Sequence, residues 1–301
     1  MGVGVVPGSV TANSRLNVRG GAPRLTAPIV SRLQPGSVLP VLGKAVGDPV
    51  NGNTLWYRGL NDTYFWSGAC SMPRAAPASS LPNSLTGRVE SAPPAVLGFD
   101  IDRPLSRSDV QTFVARGFRF VVRYLTRAHS TENPGDLTRS EAETILSGGL
   151  ALMAVQHVAK ANWLPTKDLG AGYGADAAAN AREVGLPPGI NLWLDLEGVR
   201  ADCARQDVLD YCNAWFAAVD GAGFASGLYV GEGIVISPDD IFWNLKTKHY
   251  WKSGSNVPEI PQRGYQMVQH IPPNADDKAN VDRNITRTDA LGGGVQWLTR
   301  A

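Results

Sequence analysis

Charged residues, cysteines and long apolar runs are all scarce in this chain of 301 residues. Asp, Glu, Lys and Arg together make up 18% of it, and the formal net charge is +1. The arginines are scattered and form no basic run, so the chain lacks the electrostatic signature of a nucleic-acid-binding protein. No run approaches the roughly 18 apolar residues that a membrane-spanning helix needs, so no membrane span is expected.

The three cysteines, Cys70, Cys203 and Cys212, show no zinc-ligand spacing, and the four histidines show none either. No dinucleotide-binding glycine motif is present. We therefore expect no metal and no cofactor, and three buried or half-buried thiols. A disulfide between Cys203 and Cys212 stays open only if Cys203 precedes a helix, because nine helical residues span roughly 13 Å.

A segment rich in Pro, Ala and Ser, residues 73–95, is typical of a linker. It divides the chain into a first domain, residues 1–72, and a second domain, residues 96–301. In the first domain, strand-like segments recur about every ten residues, which indicates a small all-β barrel. These segments are RLNVR, APIVSRL, SVLPVLG, TLWYRGL and TYFWSG, and GDPVNGN is among the expected turns.

The second domain alternates continuous apolar segments with amphipathic ones, which favours an α/β fold with parallel strands covered by helices. The expected strands are VLGFDI, FRFVVRYL, LALMAVQHV, INLWLDLE, ASGLYVG, KHYWK, YQMVQH and ANVDR. About 205 residues with up to eight strands predict a compact (β/α) TIM-like barrel. Few helical segments follow residue 248, so its second half should be irregular. Capping residues predict helices that begin at Ser106 or Ser108, at Thr138 or Ser140, and at Asp176, and that end at Gly117, Gly148 and Gly185.

Four acidic residues stand in or beside apolar segments: Asp100 in VLGFDID, Asp195 and Glu197 in NLWLDLEG, and Asp282 in NVDRN. A carboxylate in a buried strand is costly unless it is paired, hydrogen-bonded or used in chemistry. Asp195 and Glu197 are two residues apart, so on a strand both side chains share one face. The ends of parallel barrel strands meet at one face, so the four acids are expected to converge there. Paired carboxyls are what glycosidic-bond hydrolysis requires.

The first domain resembles a bacterial SH3 domain. The motifs that carry the resemblance are LNVRGGAP, PGSVLPVLG and the ending WYRG…FWSGAC, in that order. The fold this resemblance implies is a small SH3-like barrel, and the implied role is attachment to the cell wall.

The second domain resembles the glycoside-hydrolase-like domain related to glycoside hydrolase family 25, in a branch often labelled a domain of unknown function. The motifs are GFDIDRP, RYL, LWLDLEG, GLYVGE and VQH…VDRN. Family 25 holds bacterial and phage lysozymes, which are N-acetylmuramidases. The segment QHVAKANW departs from the aromatic-rich ending common in true muramidases.

The resemblance implies a role for each matched residue. Glu197 would protonate the glycosidic oxygen, and Asp195 would orient the 2-acetamido group of the substrate as it attacks the anomeric carbon. Asp100 and Asp282 would complete the acidic floor. The remaining substrate-binding candidates are the two tyrosines at strand ends, a loop tryptophan and a glutamine in VQH: Tyr124, Tyr229, Trp163 and Gln269.

These patterns predict a peptidoglycan hydrolase of the muramidase type that acts on glycan strands at the bacterial cell wall. The beginning of the sequence, MGVGVVPGSV, does not resemble a signal peptide. Export by a phage holin or by a specialised secretion system is therefore expected, unless this is a mature form. If the protein is a secreted antibacterial effector, an immunity protein is an expected partner.

Three alternatives remain open at the level of sequence. The barrel could bind glycan without cleaving it. Asp100, Asp195 and Asp282 could hold Mg²⁺ or Ca²⁺, which favour oxygen ligands. Asp195 and Glu197 could form a buried structural ion pair with Arg123.

Overall fold

The computed structural model of the chain describes residues 8–41, 43–59, 63–71, 74–75, 84–128, 135–271 and 281–300. These residues belong to two compact units, residues 1–80 and 81–301, which we call the N-terminal unit and the barrel unit. The beginning of the chain and residues 76–83 of the expected linker lie outside the described residues.

Antiparallel strands build the N-terminal unit, in two sheets with the orders β3-β2-β7-β6-β5 and β4-β1-β8. The strands are β1 (Gly8–Thr11), β2 (Leu16–Gly20), β3 (Ile29–Leu33), β4 (Val38–Val41), β5 (Gly43–Val50), β6 (Asn53–Arg58), β7 (Thr63–Trp66) and β8 (Arg74–Ala75), and a 3₁₀ turn spans Ser67–Ala69. Trp56 and Phe65 are fully buried in this unit.

The expected turn GDPVNGN is mostly strand. Only Asn51 and Gly52 connect β5 to β6, and both have positive φ angles, 48° and 80°. Two central residues with positive φ match the twist of a tight hairpin, and Asn-Gly is the preferred pair for it. The expectation that GDPVNGN as a whole is a turn is therefore wrong, because Asn51 and Gly52 alone reverse the chain.

The barrel unit contains the strands β9 (Arg88–Ser91), β10 (Leu97–Ile101), β11 (Phe120–Leu125), β12 (Ala151–Gln156), β13 (Asn191–Leu196), β14 (Ala225–Val230), β15 (Tyr250–Lys252), β16 (Met267–His270), β17 (Asp282–Thr286) and β18 (Gln296–Thr299). Strands β10 to β17 form a closed eight-stranded barrel, since each pairs with the next and β17 pairs with β10. The expected α/β barrel is confirmed.

One barrel strand runs against the others. Strands β10 to β16 are parallel to their neighbours, whereas β17 is antiparallel to both β16 and β10. The short β15, the lack of helices among the described residues between β15 and β17, and a π-helical turn at Asp240–Asn244 make the second half irregular, as expected.

Within the described ranges, four α-helices cover the barrel: α1 (Arg107–Ala115), α2 (Arg139–Ser147), α3 (Lys167–Val184) and α4 (Arg205–Gly221). Ser106 and Thr138 cap the first two, each being the earlier of the two candidates that the sequence offers, and Ser106 forms a full capping box with Asp109. Helix α3, however, begins after Thr166, whose side chain accepts from the N–H of Leu169. The predicted beginning at Asp176 is therefore about three turns late.

Glycines in the first half of α3 let it approach α4 closely. A Cβ atom at Gly170 would lie 2.1 Å from the carbonyl oxygen of Tyr211, and one at Gly174 would lie 2.7 Å from that of Trp215. The stretch GAGYG weakens the helical pattern in the sequence, yet the packing of the two helices requires glycine at two of its positions, Gly170 and Gly174.

Strands β9 and β18 extend the sheet outside the closed barrel. Strand β18 pairs with β12 through Leu298 and Leu152, and β9 pairs with β18. Strand β9 lies within residues 73–95, the expected linker, and Leu85 of the same segment is 1% exposed in the barrel-unit core. Part of the Pro-rich segment is thus packed into the barrel unit.

The sequence leaves a disulfide between Cys203 and Cys212 open and predicts no membrane-spanning helix. Cys70, Cys203 and Cys212 are all free thiols, although Cys203 does precede α4. Among the described residues, no helix combines the length and apolar character needed to cross a membrane.

Replacing Gly170 by alanine should lower the free energy of unfolding by about 1–3 kcal/mol, because the added methyl group meets the α4 backbone. The matched control is Gly172→Ala in the same helix, where no atom lies within 4 Å of the added methyl group. That variant should gain up to about 1 kcal/mol from helix propensity. Urea unfolding of both variants measures the difference, and equal effects would contradict this view of the α3–α4 contact.

Candidate active site

The four predicted acids meet at one end of the barrel. Asp100 and Asp195 lie near the carboxyl ends of β10 and β13, and Glu197 follows β13 directly. Asp282 is the first residue of the antiparallel β17 and stands opposite Asp100 in the register of the two strands. The expectation that Asp282 ends a parallel strand is wrong, but the reversed direction of β17 brings it to the same end of the barrel.

Asp100 is buried and accepts hydrogen bonds from two side-chain amides. Nε2 of Gln269 lies 3.0 Å and Nδ2 of Asn284 lies 2.6 Å from its Oδ1. Gln269 Nε2 also lies 3.3 Å from Oδ2 of Asp282, so one amide links the two aspartates. These donors replace part of the hydration that the carboxyl loses inside the barrel.

Further donors fix the orientation of both amides. The indole N–H of Trp251 donates to Oδ1 of Asn284 over 2.8 Å, so the NH₂ group of Asn284 must face Asp100. The hydroxyl of Tyr229 and the backbone N–H of Gly254 both donate to Oε1 of Gln269, over 2.9 and 3.0 Å. The amide of Gln269, predicted to bind substrate, is thus fully used within the protein.

The pKa of Asp100 is raised to about 7. Burial is the main cause, and the neighbouring Asp282 adds to it, whereas the hydrogen bonds from Gln269 and Asn284 act in the opposite direction. Asp100 therefore exchanges its proton near neutral pH.

Asp195 is the most isolated of the acids. It is buried, and its Oδ1 has no hydrogen-bond partner among the described residues. Burial first, and then the charges of Glu197 and Asp100, raise the pKa of Asp195 well above its usual range. A buried acceptor without a donor is costly, so this oxygen is suited to receive a hydrogen bond from a ligand.

Glu197 is partly buried, and one contact fixes its backbone. The indole N–H of Trp163 donates to the carbonyl oxygen of Glu197 over 2.9 Å. Gly231 leaves room for the Glu197 side chain, because a Cβ atom at Gly231 would lie 2.3 Å from Cβ of Glu197. Burial first, and then the charge of Glu232, raise the pKa of the Glu197 carboxyl.

Two tyrosines complete the wall of the site. Tyr124 and Tyr229 are partly buried, and burial followed by the nearby carboxyls raises the pKa of each hydroxyl. Both hydroxyls therefore remain protonated, and each already donates within the site, Tyr229 to Gln269 and Tyr124 to Asp100. The ring of Tyr229 packs edge-on against Trp251 at 4.5 Å, and the ring of Tyr124 lies 4.6 Å from that of His157.

Sequence reasoning did not single out Asn284 and Trp251 as site residues. Asn284 follows Asp282 by two positions, so alternation along β17 places both on one face. The sequence VDRN therefore carries a signal for Asn284, because the residue two positions after a site aspartate on a strand shares its face. Trp251 gave no such signal, because a tryptophan in a short apolar strand is most often simply core.

Arg123 does not balance the acids. Its guanidinium is fully buried and pairs with Glu141 of α2, with Nε to Oε1 at 2.7 Å. It also donates to the carbonyl oxygens of Ile101 and Gly135. The predicted alternative of an ion pair with Asp195 and Glu197 is wrong, since alternation along β11 turns Arg123 away from the face that Tyr124 occupies.

Over the described part of the chain, no group of three His, Cys, Asp or Glu side chains is arranged to hold a metal ion. The alternative of Mg²⁺ or Ca²⁺ on Asp100, Asp195 and Asp282 therefore gains no support from the geometry.

A closed α/β barrel with carboxyl groups gathered at one end defines a glycoside-hydrolase-like protein. Residues 111–286, more than half of the chain, match the model of the Rv2525c-like, glycoside hydrolase-like domain, and the chain belongs to this family. No curated protein matches the sequence significantly.

Several solved structures are similar to this chain in fold. The Tat-secreted protein Rv2525c of Mycobacterium tuberculosis, in complex with HEPES, is 16% identical, with 68% of this chain and 98% of that chain covered and a TM-score of 0.48. A muramidase from Acremonium alcalophilum is 17% identical, with 65% and 95% covered and a TM-score of 0.46. A family 25 glycosyl hydrolase from Bacillus anthracis is 12% identical, with 66% and 91% covered and a TM-score of 0.46.

Ionisation of Asp100 should lower the free energy of unfolding as the pH rises. Its folded-state pKa of about 7 lies above the ordinary value of 3.8, so its contribution is complete below about pH 4 and is lost as the pH rises through about 7. The shift corresponds to at most about 4 kcal/mol. Asp100→Asn should therefore lose less unfolding free energy between pH 4 and pH 8 than the wild type does.

Urea unfolding at the two pH values measures this difference. Asp102→Asn, on the exposed loop directly after β10, is the matched control and should behave as the wild type. An Asp100→Asn variant with the pH dependence of the wild type would show that Asp100 ionises normally.

Proposed function

We propose that the barrel unit is an N-acetylmuramidase that hydrolyses the glycan strands of peptidoglycan. One observation carries the proposal: a partly buried carboxyl with a raised pKa, Glu197, stands beside a deeper carboxyl, Asp195, that has an unused acceptor. Acid catalysis at a glycosidic oxygen needs a carboxyl that keeps its proton near neutral pH and a second group that stabilises the developing positive charge.

In this proposal Glu197 is the general acid. It is less deeply buried than Asp195, and the hydrogen bond from Trp163 holds its backbone just after β13, where a sugar would reach it. Asp195 accepts the N–H of the substrate's 2-acetamido group through its free Oδ1. That contact would aim the acetamido oxygen at the anomeric carbon as the leaving group departs.

The other candidates support this pair. Asp100 and Asp282 form the acidic floor, and Gln269 and Asn284 keep Asp100 in place. The hydroxyl oxygens of Tyr124 and Tyr229, as acceptors, and the indole face of Trp163 bind the sugar. Aromatic faces beside a few fixed polar groups are the usual lining of carbohydrate sites.

The N-terminal unit is proposed to be an SH3-like module that attaches the protein to the cell wall. The support is its order of short antiparallel strands together with the motifs LNVRGGAP and WYRG. A weak wall binder joined to the barrel would raise the local concentration of glycan without adding contacts in the site. The protein would then act at the bacterial cell wall, and an immunity protein is a partner only if it is an antibacterial effector.

A second candidate is a glycan-binding protein that does not cleave its ligand. One observation favours it: Asp195 is buried and its Oδ1 has no hydrogen-bond partner among the described residues, so it can accept the N–H of an acetamido sugar whether or not Glu197 donates a proton. A barrel without acid catalysis at Glu197 would still bind such a sugar through Asp195 and the tyrosines.

Replacing Glu197 by glutamine should abolish hydrolysis. Purified peptidoglycan treated with wild type should release fragments with new reducing muramic acid ends, and Glu197→Gln should do so at least about 100-fold more slowly. Mass spectrometry and a reducing-end assay measure the products, and Glu143→Gln on the surface of α2 serves as the control. Equal activity of the wild type and Glu197→Gln would show that Glu197 is not the general acid. Binding to sacculi without products from the wild type would select the second candidate.

Removing the charge of Glu232 should change the pH profile of hydrolysis. The Glu232 carboxylate disfavours ionisation of Glu197, so Glu232→Gln should lower the pKa of Glu197. Activity requires protonated Glu197, so the loss of activity on the alkaline side should move to lower pH. Rates across pH measure this effect, with Glu143→Gln as control. A shift to higher pH would contradict the assignment.

A further inference from the structure

A cavity of about 350 Å³ lies at the end of the barrel where the strands begin, opposite the end with the acids. The residues directly before β10, β11 and β12 line this cavity, and they are Val96, Arg119 and Leu150. Ala151, the first residue of β12, lines it as well. Since parallel strands begin at one end of a barrel and finish at the other, this cavity is separate from the candidate active site. Its volume is within the range of small-molecule sites.

The floor of this base cavity is apolar. Val96, Leu146, Leu150 and Ala151 form much of its surface, and Trp297 of β18 adds an aromatic ring. Trp297 is 5% exposed, and its indole N–H has no hydrogen-bond partner among the described residues. Since this N–H is itself buried, Trp297 contributes an aromatic ring to the floor of the cavity and not a donor that a ligand can reach.

The rim of the base cavity carries two exposed arginines. Nη1 of Arg119 donates to the carbonyl oxygens of Val114 and Phe118, over 3.1 and 2.8 Å. Nη1 of Arg300 donates to the carbonyl oxygen of Ser147 over 3.3 Å. Within the described ranges neither guanidinium has a carboxylate partner, so each keeps its full charge and several unused donors facing solvent.

A nearby carboxylate is already engaged elsewhere. Glu90 stands opposite Trp297 in the β9–β18 register but does not line the cavity. One of its oxygens pairs with Nη2 of Arg88 at 2.7 Å, and the other accepts from the hydroxyl of Thr299 at 3.3 Å. The charge at the rim is therefore not cancelled by Glu90.

We propose that the base cavity is a binding site for a small organic anion, a carboxylate or phosphate ester with a flat apolar body. The body would lie against Trp297 and the aliphatic floor, and the anionic group would take the free guanidinium donors of Arg119 and Arg300. Charge-assisted bonds to arginine are strong and suit planar carboxylate and phosphate oxygens. The volume holds about a dozen non-hydrogen atoms, which fits a single aromatic acid and excludes a glycan strand.

The experiment uses cinnamate as the probe and cinnamyl alcohol as its uncharged counterpart, with the full-length protein. Binding is measured by calorimetry and by the indole N–H signals in nitrogen-15 NMR spectra, where Trp297→Phe assigns the Trp297 signal. Cinnamate should bind at one site and move the Trp297 signal. The signal of Trp163, at the opposite end of the barrel, should stay in place. The alcohol should bind at least about tenfold more weakly.

Arg300→Gln should weaken cinnamate binding at least about tenfold, and Arg119→Gln should do the same. Arg139→Gln on α2, which does not line the cavity, is the matched control and should bind as the wild type does. Hydrolysis of peptidoglycan should be unchanged in Arg300→Gln, so this test stands apart from the proposed function. Three results would each overturn the proposal: equal affinity for acid and alcohol, unaltered binding in both arginine variants, or no saturable binding at millimolar cinnamate.

Discussion

Asp100 and Asp195 lie inside a closed eight-stranded barrel, where water cannot fully solvate their carboxyl groups. The protein supplies the missing hydration to Asp100 through Gln269 and Asn284, and it supplies little to Asp195. Much of the site follows from that difference. The residues around Asp100 are locked by Trp251 and Tyr229, whereas Asp195 keeps an open acceptor and a strongly raised pKa. A fully bonded Asp195 would have little left to offer a ligand.

The reversed direction of β17 makes this arrangement possible. As the one antiparallel strand of the closed barrel, it brings its first residues, Asp282 and Asn284, to the end where β10 and β13 finish. A parallel eighth strand would present its last residues there instead. The amide that holds Asp100 and the acid opposite it therefore arrive together on two alternate positions of one strand.

Much of the barrel could be predicted from the sequence, because strand and helix periodicity are local properties. Alternation placed Asp195 and Glu197 on one face, and the cap at Ser106 gave the beginning of α1. Helix α3 was placed too late because Gly170 and Gly174 weaken the local pattern, and their benefit appears only when α4 packs against them. For the same reason Arg123 was given a wrong candidate partner, since its true partner, Glu141, comes from a neighbouring helix.

The sequence alone determined the α/β barrel, the small β unit before it and the set of acids that share a face, since each follows from spacing along the chain. The tertiary structure decided the direction of β17, the amides that hold Asp100 and the pairing of Arg123 with Glu141. It also joined Arg119 and Arg300 at one cavity. These features depend on contacts between residues far apart in the chain. The energies of such contacts cannot be read from the pattern of neighbouring residues in the sequence.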